Sequence, residues 1–110
     1  MNSVQDVLRK RKKLDRKAFH QNAKIYKVMS NPKRLEILNS LVGKEMSVEA
    51  ITKMLGARKS NVSQHLAVLR MNGLVNLRRN GQSVYYRIVD PRIVLPCSIL
   101  YTLHRDKYVF

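Results

Sequence analysis

The sequence predicts one mainly α-helical domain of about five helices, with a single two-stranded β-hairpin between the fourth and the fifth. Three observations carry that prediction. Apolar residues recur with the helical period through most of the chain, and Ser, Asn, Pro and Gly stand where helices should begin and end. The period changes to two only on either side of Asn80-Gly81. The chain has 110 residues, 45% of them hydrophobic, which is room for one modest core. Residues 15–110 are expected to form that domain, and residues 1–14 a basic N-terminal arm or helix extension.

The first 17 residues carry seven cations, Arg9, Lys10, Arg11, Lys12, Lys13, Arg16 and Lys17, against Asp6 and Asp15. Such a run is either a solvated arm or a helical extension that touches DNA backbone or a partner subunit. Residues 15–30 read as the first core helix, with Ala18, Phe19, Ile25, Tyr26 and Met29 on the helical period. Asn31 is placed to cap a second helix whose first position is Pro32. That helix should bury Leu35, Leu38, Leu41 and Val42 and end at Gly43.

Ser47 caps a short third helix with Val48, Ile51 and Leu55 inside, and Gly56 ends it. A tight connection, Ala57-Arg58-Lys59, leads to a fourth helix over Ser60–Asn72, for which Ser60 is the expected N-cap and Gly73 the stop. Val62, Leu66 and Leu69 make its apolar stripe. A short helix, a turn with Gly and a second amphipathic helix form a helix-turn-helix. The outward face near the start of the second helix is small, polar and uncharged. Ser60, Asn61, Ser63, Gln64 and His65 are the candidate readers of base edges, because hydroxyls and amides match base donors and acceptors. Arg58 and Lys59 are candidate phosphate holders.

Asn80-Gly81 is a strong hairpin signal. As a two-residue turn it would set Leu77 opposite Val84 and Val75 opposite Tyr86 on one face, and Asn76 opposite Tyr85 and Arg78 opposite Ser83 on the other. The tip is basic and polar, so Arg78, Arg79, Gln82 and Ser83 are candidate backbone or minor-groove contacts of a wing. After Asp90-Pro91 an apolar run, Ile93 to Tyr101, forms a last helix interrupted or started by Pro96. Its apolar surface is expected to pair with the first helix and with a second subunit.

Composition narrows the function. The formal net charge is +15, from 22 Lys and Arg against 7 Asp and Glu. Such an excess implies an anionic partner, nucleic acid or a membrane surface. With 6% aromatics and no Trp, single-strand binding on stacking platforms is disfavoured. One cysteine excludes an internal disulfide and a CxxC zinc site. No run is long and apolar enough to span a membrane, and the N-terminus lacks a signal-peptide core, so the expected location is the cytoplasm. No nucleophile–base–acid set, glycine-rich phosphate loop or metal cluster points to an enzyme, and no cofactor is expected.

In this order, Asn31-Pro32-Lys33-Arg34-Leu35-Glu36-Ile37-Leu38, Asn61-Val62-Ser63-Gln64-His65-Leu66, Leu69-Arg70 with Gly73-Leu74-Val75, and Arg79-Asn80-Gly81-Gln82-Ser83-Val84-Tyr85-Tyr86 resemble the ArsR/SmtB-type winged-helix repressors, over about residues 20–106. The resemblance implies a homodimer, paired through its first and last helices, that binds palindromic double-stranded DNA operators and leaves them when an effector arrives. The family's metal sites do not carry over. The helix before the turn has no thiol in Glu45–Ile51. On the last helix Asp90 matches one ligand, but Arg92 and Leu103 stand where others would be needed, and a guanidinium cannot ligate a metal. The likeness is closer to the metal-free branch that includes persulfide-responsive repressors, yet Asn39 and Arg105 occupy its two cysteine positions. Cys97 lies elsewhere, as a buried apolar-type thiol or a sensor. The leading expectation is a sequence-specific repressor. The alternative is a low-specificity architectural DNA binder with no effector.

Overall fold

A computed structural model describes residues 5, 6, 9 and 13–106. Most of the predicted N-terminal arm therefore lies outside the described residues, as do Lys107 to Phe110. The elements follow the order α1 (Arg16–Met29), α2 (Pro32–Ser40), β1 (Met46–Ser47), α3 (Val48–Leu55), α4 (Lys59–Met71), β2 (Val75–Asn80), β3 (Ser83–Ile88), a 3-10 turn (Pro91–Val94) and α5 (Leu95–Arg105). The fold is a winged helix-turn-helix.

Local chemistry sets most of the helix starts. The Asp15 carboxylate accepts from the Ala18 N–H at 2.8 Å, Asn31 Oδ1 from Arg34 at 3.1 Å, and Ser47 Oγ from Ala50 at 3.0 Å. Pro32 takes the first position of α2, where its missing N–H costs nothing. α4 departs from expectation. Its cap lies two residues early, at Arg58 rather than Ser60, so the helix begins at Lys59, with no side-chain cap bond. Ser60 is thus inside the first turn, and its hydroxyl is left to face outward. At the other end Gly73 takes φ +74, and the Leu74 N–H bonds back to the Leu69 carbonyl at 2.9 Å. That left-handed closure turns the chain from α4 into the wing.

The core is one cluster: Ile37, Leu38 and Leu41 from the α2 region, Ile51 from α3, Val62, Leu66 and Leu69 from α4, with Leu74, Val75, Ile88 and Val94. α2 differs in part from its expected face. Ile37 is fully buried, Leu35 only partly, and Val42 is 45% exposed. The helix stops at Ser40, so Leu41 is its cap and Val42 falls on the outgoing turn rather than the inner face.

The sheet has three antiparallel strands in the order β1-β3-β2, not two. Met46 pairs with Tyr86 and Ser47 with Tyr85. A two-residue strand has no period to read; it exists because the free edge of β3 offers it partners. The hairpin register also shifts. Asn80 pairs with Ser83, Arg79 with Val84, Arg78 with Tyr85, Leu77 with Tyr86, Asn76 with Arg87 and Val75 with Ile88. The turn is therefore Gly81-Gln82, with glycine at the first central position, where φ is +62. Moving each partner by two residues keeps every side chain on its expected face, since strand side chains alternate with a period of two. Pro96 lies in the first turn of α5 and starts it rather than interrupting it.

Candidate nucleic-acid interface

α4 packs Val62, Leu66 and Leu69 against the core with no exposure, which fixes its rotation. With 3.6 residues per turn, Ser60 and Gln64 then point directly away from the core, and Asn61 and Ser63 flank them. All four are exposed. After Lys59, the outward positions from Ser60 to Gln64 thus present only hydroxyls and amides. His65 sits on the flank toward α2 and is partly buried. Arg34 Nη1 lies 3.4 Å from its Nδ1. A guanidinium only donates, so Nδ1 accepts and the ring proton sits on Nε2. Burial, then the charges of Arg34 and Lys33, lower the His65 pKa.

Arg34 was not among the candidates read from the sequence. Its Nε also donates to the Val28 carbonyl at 2.6 Å, so one side chain ties the end of α1 to the middle of α4. The available signal was the pair Lys33-Arg34 in the first turn of a helix with no acid there, a placement the helix dipole disfavours. Asn31, Pro32, Lys33, Glu36 and His65 line an open groove of about 570 Å³ beside this link.

The expected cations are not equivalent. Arg58 is exposed at the start of α4. Lys59 pairs with Glu49 at 3.1 Å, and that contact holds the Glu49 pKa below its ordinary value. Both side chains are mostly exposed, so the pair is weak and Lys59 can exchange its carboxylate for a phosphate. On the wing, alternation sends Arg78 and Arg79 to opposite faces. Arg78 Nε bonds both Glu45 carboxylate oxygens, at 2.9 and 3.0 Å, and its guanidinium lies 4.8 Å from the Tyr85 ring centroid. It braces the middle of the wing. Arg79 is exposed and in no ion pair among the described residues. Gln82 is exposed in the turn, and Ser83 beside it is half-buried.

Cys97 is half-buried at the edge of the core, with Asn39 Nδ2 at 3.6 Å from its sulfur. Among the described residues no group of three or more His, Cys, Asp or Glu is placed to hold a metal ion, and no helix is long and apolar enough to cross a membrane. Asp90 is taken up by Arg92, whose backbone N–H and guanidinium both donate to it. Those bonds hold the Asp90 pKa down at about 2.

Comparison with known proteins agrees with this arrangement. Residues 31–76 match the family model described as bacterial regulatory protein, arsR family. Nodulation protein NolR of Rhizobium meliloti is 46% identical over 91 residues, covering 79% of this chain and 75% of that protein. Transcriptional activator HlyU of Vibrio cholerae is 38% identical over 80 residues, 73% and 74% of the two chains. Among solved structures, the homodimeric winged helix-turn-helix DNA-binding domain Mb0332 of Mycobacterium bovis superposes with a TM-score of 0.74 at 34% identity, covering 86% of this chain and 93% of that one. The crystal structure of NolR from Sinorhizobium fredii gives 0.71 at 34% identity, covering 84% and 96%. The chain is a transcriptional regulator of the winged helix-turn-helix class, not an enzyme. It belongs to the arsR family.

Proposed function

We propose that the chain is a homodimeric, sequence-specific double-stranded DNA-binding regulator that acts as a repressor at a palindromic operator in the cytoplasm. Ser60, Asn61, Ser63, Gln64 and His65 read base edges. Arg58, Lys59, Arg79, Gln82 and Ser83 hold the backbone or enter a minor groove, and Arg78 stiffens the wing that carries the last three. Residues 15–110 are the DNA-binding and dimerisation domain, and residues 1–14 its basic arm. The observation that carries the reading is the start of α4, an uncharged polar end aimed away from the core and bordered by exposed cations. In a helix-turn-helix that end enters the major groove.

The dimer is supported by the terminal helices. Neither α1 nor α5 has a fully buried residue, and Phe19, Tyr26, Leu95, Ile99, Leu100 and Tyr101 are all exposed. That much apolar surface on two neighbouring helices calls for a cover, and a second copy supplies one. Cys97 is read as a packing thiol, since it lies against the core cluster with the Asn39 amide at its sulfur.

Two substitutions test the division of labour. Gln64→Ala should lower affinity for a genomic fragment selected by the purified protein by about tenfold or more, and leave random-DNA binding nearly unchanged. Arg79→Ala should weaken both alike and flatten the slope of log affinity against log salt by about one unit. Equal weakening of both DNAs by Gln64→Ala would mean that α4 does not read sequence, and would leave a low-specificity architectural binder.

A further inference from the structure

α1 has three faces. Ile25, Val28 and Met29 pack on the core, and Phe19 and Tyr26 form the exposed apolar face beside them. Arg16, Lys17, His20, Lys24 and Lys27 occupy the third. With 3.6 residues per turn these five fall within about 100° of arc, on the side away from Ile25 and Met29. All five are exposed. Among the described residues none is in an ion pair or a side-chain hydrogen bond. Arg16–Met29 contains no acid, and the Asp15 carboxylate before it is used by the Ala18 N–H. Arg16 and Lys17 also stand in the first turn, where the positive end of the helix dipole opposes them. An anion lying along the helix would relieve both conflicts.

The stripe extends for about 17 Å, at 1.5 Å per residue. Its end near Lys27 adjoins the reading helix, because Arg34 holds the Val28 carbonyl with one nitrogen and approaches His65 of α4 with another. A partner subunit that covers Phe19 and Tyr26 would leave this third face open. We propose that it is a second, sequence-independent contact to double-stranded DNA, lying along phosphates beyond those that α4 and the wing engage. The inference rests on the DNA-binding reading above. Duplex DNA carries about one charge per 1.7 Å of axis, so a stripe of this length spans roughly ten phosphates. An anionic membrane fits less well, because surface-lying helices insert apolar side chains beneath their cations, and the apolar residues of α1 belong to its other two faces.

The test is a variant with Arg16→Gln, Lys17→Gln, Lys24→Gln and Lys27→Gln together, titrated against a long random-sequence duplex at several salt concentrations. Its salt slope should be shallower than the parent's by up to about 3.6 units, at 0.9 per lost phosphate contact. Lys24→Gln with Lys27→Gln alone should lose about half of that. Lys17→Arg, Lys24→Arg and Lys27→Arg, which keep the charges, should retain the parent slope. Melting curves that match the parent's show that the variants remain folded. An unchanged slope in the four-glutamine variant, beside a slope lowered by Arg79→Ala, overturns the stripe and leaves the DNA reading intact. A parent that binds no duplex removes both. Parent binding to phosphatidylglycerol vesicles that the glutamines abolish, with DNA slopes unchanged, assigns the stripe to lipid and also overturns the proposal.

Discussion

α4 buries Val62, Leu66 and Leu69 completely, whereas α5, two residues shorter, buries none of its own. Both are amphipathic and both carry several large apolar side chains. The difference is what lies opposite. α4 is enclosed by α2, α3 and the base of the wing, elements close to it in sequence and joined by short turns. α5 has the core on one side only, through Cys97 and the Val94 that precedes the helix, and its outer side shows Leu95, Ile99, Leu100 and Tyr101. The same contrast separates α2 from α1. The helix-turn-helix is thus complete within one chain, while the terminal helices leave an apolar surface uncovered. In the proposed dimer, a change in that uncovered region would shift the two reading helices relative to each other and leave the packing that shapes each of them undisturbed.

The contrast can be broken at three points. Leu66→Ala removes a fully buried side chain from the complete region, and should cost about 2–5 kcal/mol of stability in urea or thermal unfolding. A smaller loss would mean that the core around α4 collapses to fill the space. Leu100→Asp acts on the incomplete region. Light scattering should show the parent at about 26 kDa, twice the 12.8 kDa of one chain, and the variant at the single-chain mass with an unchanged helical spectrum. A monomeric parent would remove the dimer reading of α5.

The smallest effect is at the junction of the two regions, where Asp90 caps the 3-10 turn that leads into α5. Its folded pKa of about 2 lies below the ordinary 3.8, so the folded chain binds fewer protons than the unfolded one. The carboxylate therefore stabilises the fold above the ordinary carboxylate range, and that contribution disappears as the pH falls through about 2. Asp90→Asn should melt below the parent at neutral pH, and the gap should close over this acid window. A gap that stays constant with pH would show that the amide replaces the carboxylate as a cap and that the charge pair with Arg92 contributes nothing.

What the sequence by itself determined is local. Asn31 before Pro32, Ser47 before the short helix and Gly73 after α4 act through bonds to backbone three to five positions away, so the helix order and most boundaries could be read from neighbours. The core face of α4, and with it the outward placement of Gln64, followed from the helical period alone. The total charge and the single cysteine needed no fold at all. What only the tertiary structure decided involves partners far apart in the chain. β1 forms because β3, about 40 residues later, has a free edge beside Met46 and Ser47. The hairpin closes on Gly81-Gln82 rather than Asn80-Gly81, because the pairing of six residues along both strands outweighs a dipeptide preference. Arg34 meets His65 across 31 positions, and Arg78 meets Glu45 across 33. Which of the many cations are neutralised and which face solvent was decided by those long-range contacts. A charge on a sequence is only a count until packing brings, or fails to bring, an opposite charge within reach.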